Sequence, residues 1–154
     1  MDLQKDKYII VEIVPTHSNP EKGFIAQLSA LKLEGTKLLD RFDYRVNEDL
    51  ILNEDILNII FYDKDKFNYV DNKDEILKRF KEWIEDYPLV LLDSTYTLSY
   101  LDSISNSKEL VYPYLGLDYT FDVFSKLVDK YKLEPSNYLV DLVYEAIIYE
   151  GNKK

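Results

Sequence analysis

Carboxylates are the side chains in this sequence whose placement could support chemistry. Glu12 lies inside an apolar, β-branched run from Tyr8 to Val14, where a charge needs a partner, a metal ion or an exposed face. Asp93 follows a second apolar run, and Asp141 lies on a predicted helix. Each carboxylate offers the oxygen ligands that Mg²⁺ prefers. We favour the simpler interpretation, in which Glu12 is solvated at a strand edge, Asp141 is a helix-surface acid and Asp93 caps a helix.

Other reactive groups are scarce. The absence of cysteine excludes a disulfide scaffold, a thiolate metal site and a cysteine nucleophile. His17, the single histidine, lies in a predicted loop, where we expect it to be exposed and idle. The 14 tyrosines could stack on nucleic-acid bases, but core packing or a protein interface is the favoured interpretation. The cluster Lys78-Arg79-Lys81 alternates with glutamates, which indicates a solvated helix face.

Size and charge limit the class of protein. The chain has 154 residues, of which 46% are hydrophobic, so we predict one domain over residues 1–150 and a tail over 151–154. Its net charge of −10 disfavours binding to a phosphate backbone and favours a protein partner. No apolar run reaches about 18 residues, so no membrane span is expected. The charged start does not resemble a signal peptide, and we expect a cytoplasmic protein.

Hydrophobic patterns predict an α/β domain. A buried central strand over 8–14 is followed by strands over 24–33 and 36–46, and Glu34-Gly35 makes the turn between the last two. These three form an antiparallel meander. After it, helical periods alternate with strand signals in the order β-β-β-α-α-β-α-(β)-α-α, which predicts a mixed sheet. The later segments are helices over 53–60 and 72–84, capped by Asn53 and Asn72; an irregular stretch over 63–71; a strand over 89–92; a helix carrying Leu98, Leu101 and Ile104; a loop with Pro113 and Gly116; and helices over 121–131 and 137–150.

Several motifs resemble those of the DEDD (DEDDh-type) 3'-5' exonuclease family, which includes the DNA polymerase III epsilon subunit. Residues 11–17, V-E-I-V-P-T-H, are similar to the family's F-D-I-E-T-T-G. Residues 89–101 align with its L-V-A-H-N-A-x-F-D-L-x-F-L, and residues 136–142 with its H-x-A-x-x-D-A. Asp122 lies where the family's D-T-L segment falls. The resemblance implies a ribonuclease H-like α/β fold, with a mixed sheet that begins as a three-stranded antiparallel meander flanked by helices.

The same resemblance assigns the catalytic positions. The family's reaction uses two divalent metal ions held by four carboxylates, with a histidine as general base. In this sequence the carboxylate positions hold Glu12, Val14, Thr97 and Asp141, and the histidine position holds Ser136. Val14 offers no lone pair, Thr97 offers a neutral hydroxyl, and Ser136 has no pKa near neutrality. The resemblance therefore implies vestigial catalytic motifs.

Three functions follow as hypotheses. The first is a catalytically degenerate exonuclease-fold domain that binds or regulates a protein and uses no cofactor. The second is a weak Mg²⁺- or Mn²⁺-dependent 3'-5' exonuclease on DNA or RNA, with one ion held by Glu12, Asp141 and Asp93. The third is nucleic-acid binding without cleavage, which requires a basic, aromatic-lined groove on an acidic surface.

Overall fold

The computed structural model describes residues 1–60, 65–92, 96–102, 108–117, 123–134 and 138–153. Within these ranges, no helix is both long and apolar enough to cross a bilayer. The strands are β1 (Lys7–Pro15), β2 (Ile25–Glu34), β3 (Lys37–Val46), β4 (Asn68–Val70), β5 (Leu89–Leu91) and β6 (Lys108–Leu110). The helices are α1 (Glu54–Ile60), α2 (Glu75–Ile84), α3 (Tyr96–Leu101), α4 (Tyr112–Leu115), α5 (Val123–Tyr131) and α6 (Leu139–Asn152).

The first three strands form the predicted antiparallel meander. β1 pairs with β2 from Lys7↔Glu34 onward, and β2 pairs with β3. The turn between β2 and β3 consists of Gly35 and Thr36, one residue later than expected. Gly35 has a φ of +59°, and a Cβ there would lie 2.5 Å from the carbonyl oxygen of Gln4. Glycine is therefore required by both the backbone conformation and the close approach of the N-terminal segment.

Parallel strands extend the meander on both sides. The sheet order is β4-β3-β2-β1-β5-β6, with β5 parallel to β1, β6 parallel to β5 and β4 parallel to β3. This confirms the predicted mixed sheet, and it places β1 in the interior. The prediction that residues 63–71 are irregular was wrong at Asn68–Val70, which pairs with Tyr44–Val46. A strand of three residues is too short to show an alternating pattern in the sequence.

Helix boundaries differ from the predicted ones for local reasons. Asn53 caps α1 as expected, because its Oδ1 accepts the backbone N–H of Asp55 at 2.9 Å. Asn72 does not cap α2; its Oδ1 accepts the N–H of Asp74 at 2.8 Å in a turn before the helix. The predicted loop with Pro113 contains the one-turn helix α4. α6 continues to Asn152, into the stretch assigned to a tail.

Helices cover both faces of the sheet and divide the core in two. Alternate residues of β1 point to opposite faces, so Ile10 packs on one side and Val11 on the other. On the first face, α4, α5 and α6 contribute Leu115, Leu127, Leu142, Val143 and Ile147 to a cluster with Ile10, Leu31 and Leu33. On the second face, α2 and α3 contribute Ile76, Phe80, Ile84 and Leu101 to a cluster with Val11, Ala30 and Phe42. α6 therefore lies over the face that also carries Glu12.

The packing of α6 on this face is testable by truncating one side chain. Leu142 is 1% exposed in the α6 core, so Leu142→Ala should lower the free energy of unfolding by about 2–5 kcal/mol. Urea denaturation followed by circular dichroism measures the loss. Glu145→Ala on the exposed side of the same helix is the control and should change stability by less than about 0.5 kcal/mol. Equal losses in the two variants would contradict the assigned helix face.

Candidate functional site

A row of polar side chains crosses the sheet on the face covered by α6. Glu12 of β1 is paired with Ser29 of β2, and Ser29 is paired with Asp43 of β3. Directly opposite residues in antiparallel strands point to the same face, so these three side chains are neighbours. Flanking rows on the same face are Ile10, Leu31 and Arg41 on one side, and Gln27 and Arg45 on the other.

Glu12 bonds to the N-terminal end of α6. Its Oε1 accepts the backbone N–H of Val140 at 3.3 Å. The first amides of a helix lack intrahelical acceptors, and the N-cap residue Tyr138 provides no side-chain bond to them. The carboxyl of Glu12, which belongs to β1, therefore caps the N-terminal end of α6. The interpretation of Glu12 as a solvated strand-edge acid was wrong, because β1 is an interior strand.

Asp141 is held by two cations. Lys66 Nζ donates to Oδ2 at 2.8 Å, and Arg41 Nη1 donates to Oδ1 at 2.9 Å. Burial alone would raise the pKa of Asp141, but the hydrogen bonds from Arg41 and Lys66 outweigh it and hold the pKa below its ordinary value. Asp141 is thus ionised at neutral pH. The interpretation of Asp141 as a simple helix-surface acid was wrong, because its two oxygens bind cations from the sheet and the following loop.

The same cations connect the rest of the polar row. Arg41 Nε donates to Asp43 Oδ2 at 3.1 Å, so one guanidinium joins Asp43 to Asp141. Arg45, 2% exposed, donates from Nε to Gln27 Oε1 at 2.8 Å. Its guanidinium carbon lies 4.1 Å from the ring centroid of Phe67. These contacts turn the polar row into an ionic layer between the sheet and α6.

The protonation of Glu12 differs from that of Asp141. Burial raises the pKa of Glu12 to about 7, although the N–H of Val140 and the ammonium of Lys66 oppose the shift. The negative charge of Asp141 raises it further. At neutral pH the Glu12 carboxyl is therefore divided between its protonated and ionised forms, while Asp141 carries a full charge.

Val14 and Thr97, two further predicted site positions, carry no charge. Val14 lines an apolar cleft of about 400 Å³ at the end of β1, together with His17 and Ile56. Thr97 is fully buried on α3, and its Oγ1 has no hydrogen-bond partner among the described atoms. Asp93, Ser136 and Asp122 lie outside the described residues.

The described donors do not fit a two-metal centre. Such a centre needs several carboxylate oxygens around each ion. Both oxygens of Asp141 are already bound to cations, and Val14 has no donor atom. Over the described ranges, no group of three or more His, Cys, Asp or Glu residues is arranged to hold a metal ion. Two buried oxygens in the row, Ser29 Oγ and Asp43 Oδ1, lack a hydrogen-bond partner among the described atoms.

The other candidate groups lie away from this layer. His17 is exposed, and its Nδ1 accepts the N–H of Asn19 at 2.9 Å, as in an ordinary loop. Arg79 pairs with Glu75 at 2.9 Å on the solvated face of α2, as predicted. Many tyrosines are core residues, which fits the favoured interpretation; the buried ones include Tyr8, Tyr100, Tyr112, Tyr131 and Tyr138.

Sequence reasoning missed the cations. Sequence patterns place Lys66 in the irregular stretch over 63–71, and Arg41 and Asp43 in the strand over 36–46, without assigning them to a site. Alternation along β3 was the available signal, because it places Arg41, Asp43 and Arg45 on one face. The register of the meander shows that Glu12 lies on the same face.

Sequence comparison identifies relatives among bacterial replication proteins. No family model matches the chain. DNA polymerase III PolC-type of Staphylococcus haemolyticus is 24% identical over 102 residues, which is 66% of this chain and 7% of that protein. The protein of the same name from Bacillus cereus is 23% identical over 100 residues, or 65% and 7% of the two chains. The chain thus spans less than a tenth of the length of these curated relatives.

Solved structures share the fold. Product-bound exonuclease I superposes with a TM-score of 0.63 at 11% identity, covering 96% of this chain and 43% of that one. A full-length 3'-exonuclease gives 0.61 at 12% identity, with 97% and 82% covered. The ribonuclease H-like prediction is confirmed, and so is the resemblance to the DEDD exonuclease family. The chain has the fold of these exonucleases and is similar in sequence to a segment of the PolC-type polymerases.

The raised pKa of Glu12 predicts a pH-dependent contribution to stability. Because the folded carboxyl binds a proton more tightly than the unfolded one, its contribution is complete below about pH 4.5 and lost as the pH rises through about 7. Glu12→Gln removes this titration and keeps an acceptor for Val140. Relative to the wild type, the variant should gain about 1–2 kcal/mol of unfolding free energy between these limits, since solvent reaching part of the side chain weakens the effect.

Urea denaturation over a pH series measures this difference. Glu21→Gln, at an exposed loop position, is the matched control and should show no such trend. A difference between Glu12→Gln and the wild type that stays constant across the series would contradict the assignment.

Proposed function

We propose that this exonuclease-fold domain is a non-catalytic binding or regulatory module. The observation that carries the proposal is the chemistry at Val14 and Thr97, two of the four ligand positions implied by the family resemblance. Two metal ions stabilise the attacking and leaving oxygens of a phosphoryl transfer only when carboxylates fix both ions. A hydrocarbon side chain and a buried neutral hydroxyl supply no charge for this task.

The other parts of the reaction also lack their groups. Ser136 stands where the family has its histidine, and a serine hydroxyl cannot take a proton from water near neutral pH. The carboxylate that matches the family pattern, Asp141, is bound to Arg41 and Lys66. These features support loss of the hydrolytic reaction.

Charge supports a protein as the partner. The net charge of −10 repels a phosphate backbone unless a local basic surface overrides it. Among the described residues, Arg41 and Lys66 could form such a surface beside the vestigial site, but they are paired with Asp43 and Asp141. A binding role through protein contacts therefore fits the chain better than a nucleic-acid role.

The proposal predicts an absence of nuclease activity. Purified protein should release no nucleotides from single-stranded DNA or RNA when Mg²⁺ or Mn²⁺ is added, because the ligand set cannot hold the ion pair. Gel analysis of end-labelled strands gives the readout. Asp141→Ala, prepared in parallel, identifies activity that comes from a contaminant. Metal-dependent degradation that disappears in Asp141→Ala would refute the proposal and favour the weak nuclease with Glu12, Asp141 and Asp93.

A second measurement separates protein binding from nucleic-acid binding. Fluorescence anisotropy with labelled single strands should show no binding that weakens as salt is raised, because the site's cations already neutralise its own carboxylates. The titration is repeated with Lys66→Met. A salt-sensitive affinity in the wild type that drops in this variant would instead support nucleic-acid binding without cleavage.

A further inference from the structure

The ammonium of Lys66 lies beside Asp141, one of the two acids that the family resemblance assigns as metal ligands and that the chain retains. Its Nζ donates to Asp141 Oδ2 at 2.8 Å, and its side chain is 18% exposed. The same charge acts on Glu12, where it favours the ionised form. The ring of Tyr138 covers a further side, with its centroid 3.4 Å from Nζ. The ammonium thus contacts one carboxylate and one aromatic face, and its charge also acts on the carboxyl of Glu12.

Arg41 provides a second cation on the other oxygen of the same carboxylate. Nη1 lies 2.9 Å from Asp141 Oδ1, and Nε lies 3.1 Å from Asp43 Oδ2. The two oxygens of Asp141 therefore each have their own cation at short range. A carboxylate that bridges two metal ions has the same distribution of charge, with one cation on each oxygen.

We propose that Lys66 and Arg41 are built-in counter-ions that replace divalent metal at Asp141 and keep this site closed to metal ions. The inference deepens the proposed function and rests on it, since a module without hydrolytic chemistry has no need for an exchangeable ion. It also explains how Asp141 is kept ionised where α6 meets the sheet. A partly buried carboxylate without a cation is strongly destabilising, and a tethered ammonium supplies the charge at any metal concentration.

The replacement implies a latent cation site. Without the charge of Lys66, Asp141 Oδ2 loses the cation that binds it at 2.8 Å, and Glu12 loses a nearby positive charge. Their oxygens are suitable ligands for a hard divalent ion. Lys66→Met removes the charge and keeps an unbranched side chain that can pack against Tyr138, so it should open the site with little loss of packing.

Calorimetric titration with MnCl₂ tests the proposal. The wild type and Lys66→Arg, which keeps the charge, should show no saturable heat. Lys66→Met should bind about one Mn²⁺, and the double variant Lys66→Met/Glu12→Gln should bind it less tightly by at least about tenfold. In thermal unfolding, saturating Mn²⁺ should raise the midpoint of Lys66→Met by about 2–4 °C and leave the wild type unchanged.

Two results would overturn the inference. One is saturable Mn²⁺ binding by the wild type; the other is a folded Lys66→Met that binds no Mn²⁺. If Lys66→Met is unfolded without metal, added MnCl₂ should restore the helical circular dichroism signal, and a failure to restore it counts equally against the inference. The nuclease assay is independent of these outcomes. If the wild type is inactive as a nuclease and Lys66→Met binds no Mn²⁺, the proposed function stands and only the role of Lys66 is refuted.

Discussion

The arrangement of this domain depends on one constraint, which is that α6 lies across β1 and β2 with its N-terminus directly over Glu12. Apolar side chains of α6, including Leu142 and Val143, are buried in one cluster with Ile10, and this burial stabilises the packing of the helix on the sheet. The hydrogen bond from Val140 to Glu12 then fixes the height of the helix above the sheet. Asp141 follows one residue later and is thereby carried to the edge of the polar row.

This arrangement brings carboxylates close together, and neighbouring groups in the ionic layer reduce their mutual repulsion. Like charges a few ångströms apart repel strongly where solvent is partly excluded. Glu12 avoids part of this cost by a raised pKa, and Asp141 avoids it by ion pairs with Arg41 and Lys66. The ionic layer thus sums close to neutrality inside a protein of net charge −10. Its charge balance is a local property that composition does not reveal.

The sequence was sufficient for the parts of the fold that have regular patterns. The meander, α2 and the strand at Leu89 follow from alternation and helical periodicity, and these predictions are confirmed. β4 and α4 were not predicted, because three or four residues carry too little periodic signal. The ion pairs could not be predicted for a different reason. Arg41 and Lys66 reach Asp141 across 100 and 75 residues of chain, and such contacts exist only after the sheet and α6 are packed.

The same physics links the uncharged ligand positions to the cations that bind Asp141. Four carboxylates around two metal ions are stable because the ions neutralise them; without the ions, mutual repulsion would push the helix from the sheet. A chain that no longer binds the ions must therefore either discard acids or supply cations of its own. Under the proposed function this chain does both, since Val14 and Thr97 carry no charge while Arg41 and Lys66 pair with Asp141. The hydrophobic contacts between α6 and the sheet need neither change, which is why the fold and the ligand set can be altered separately.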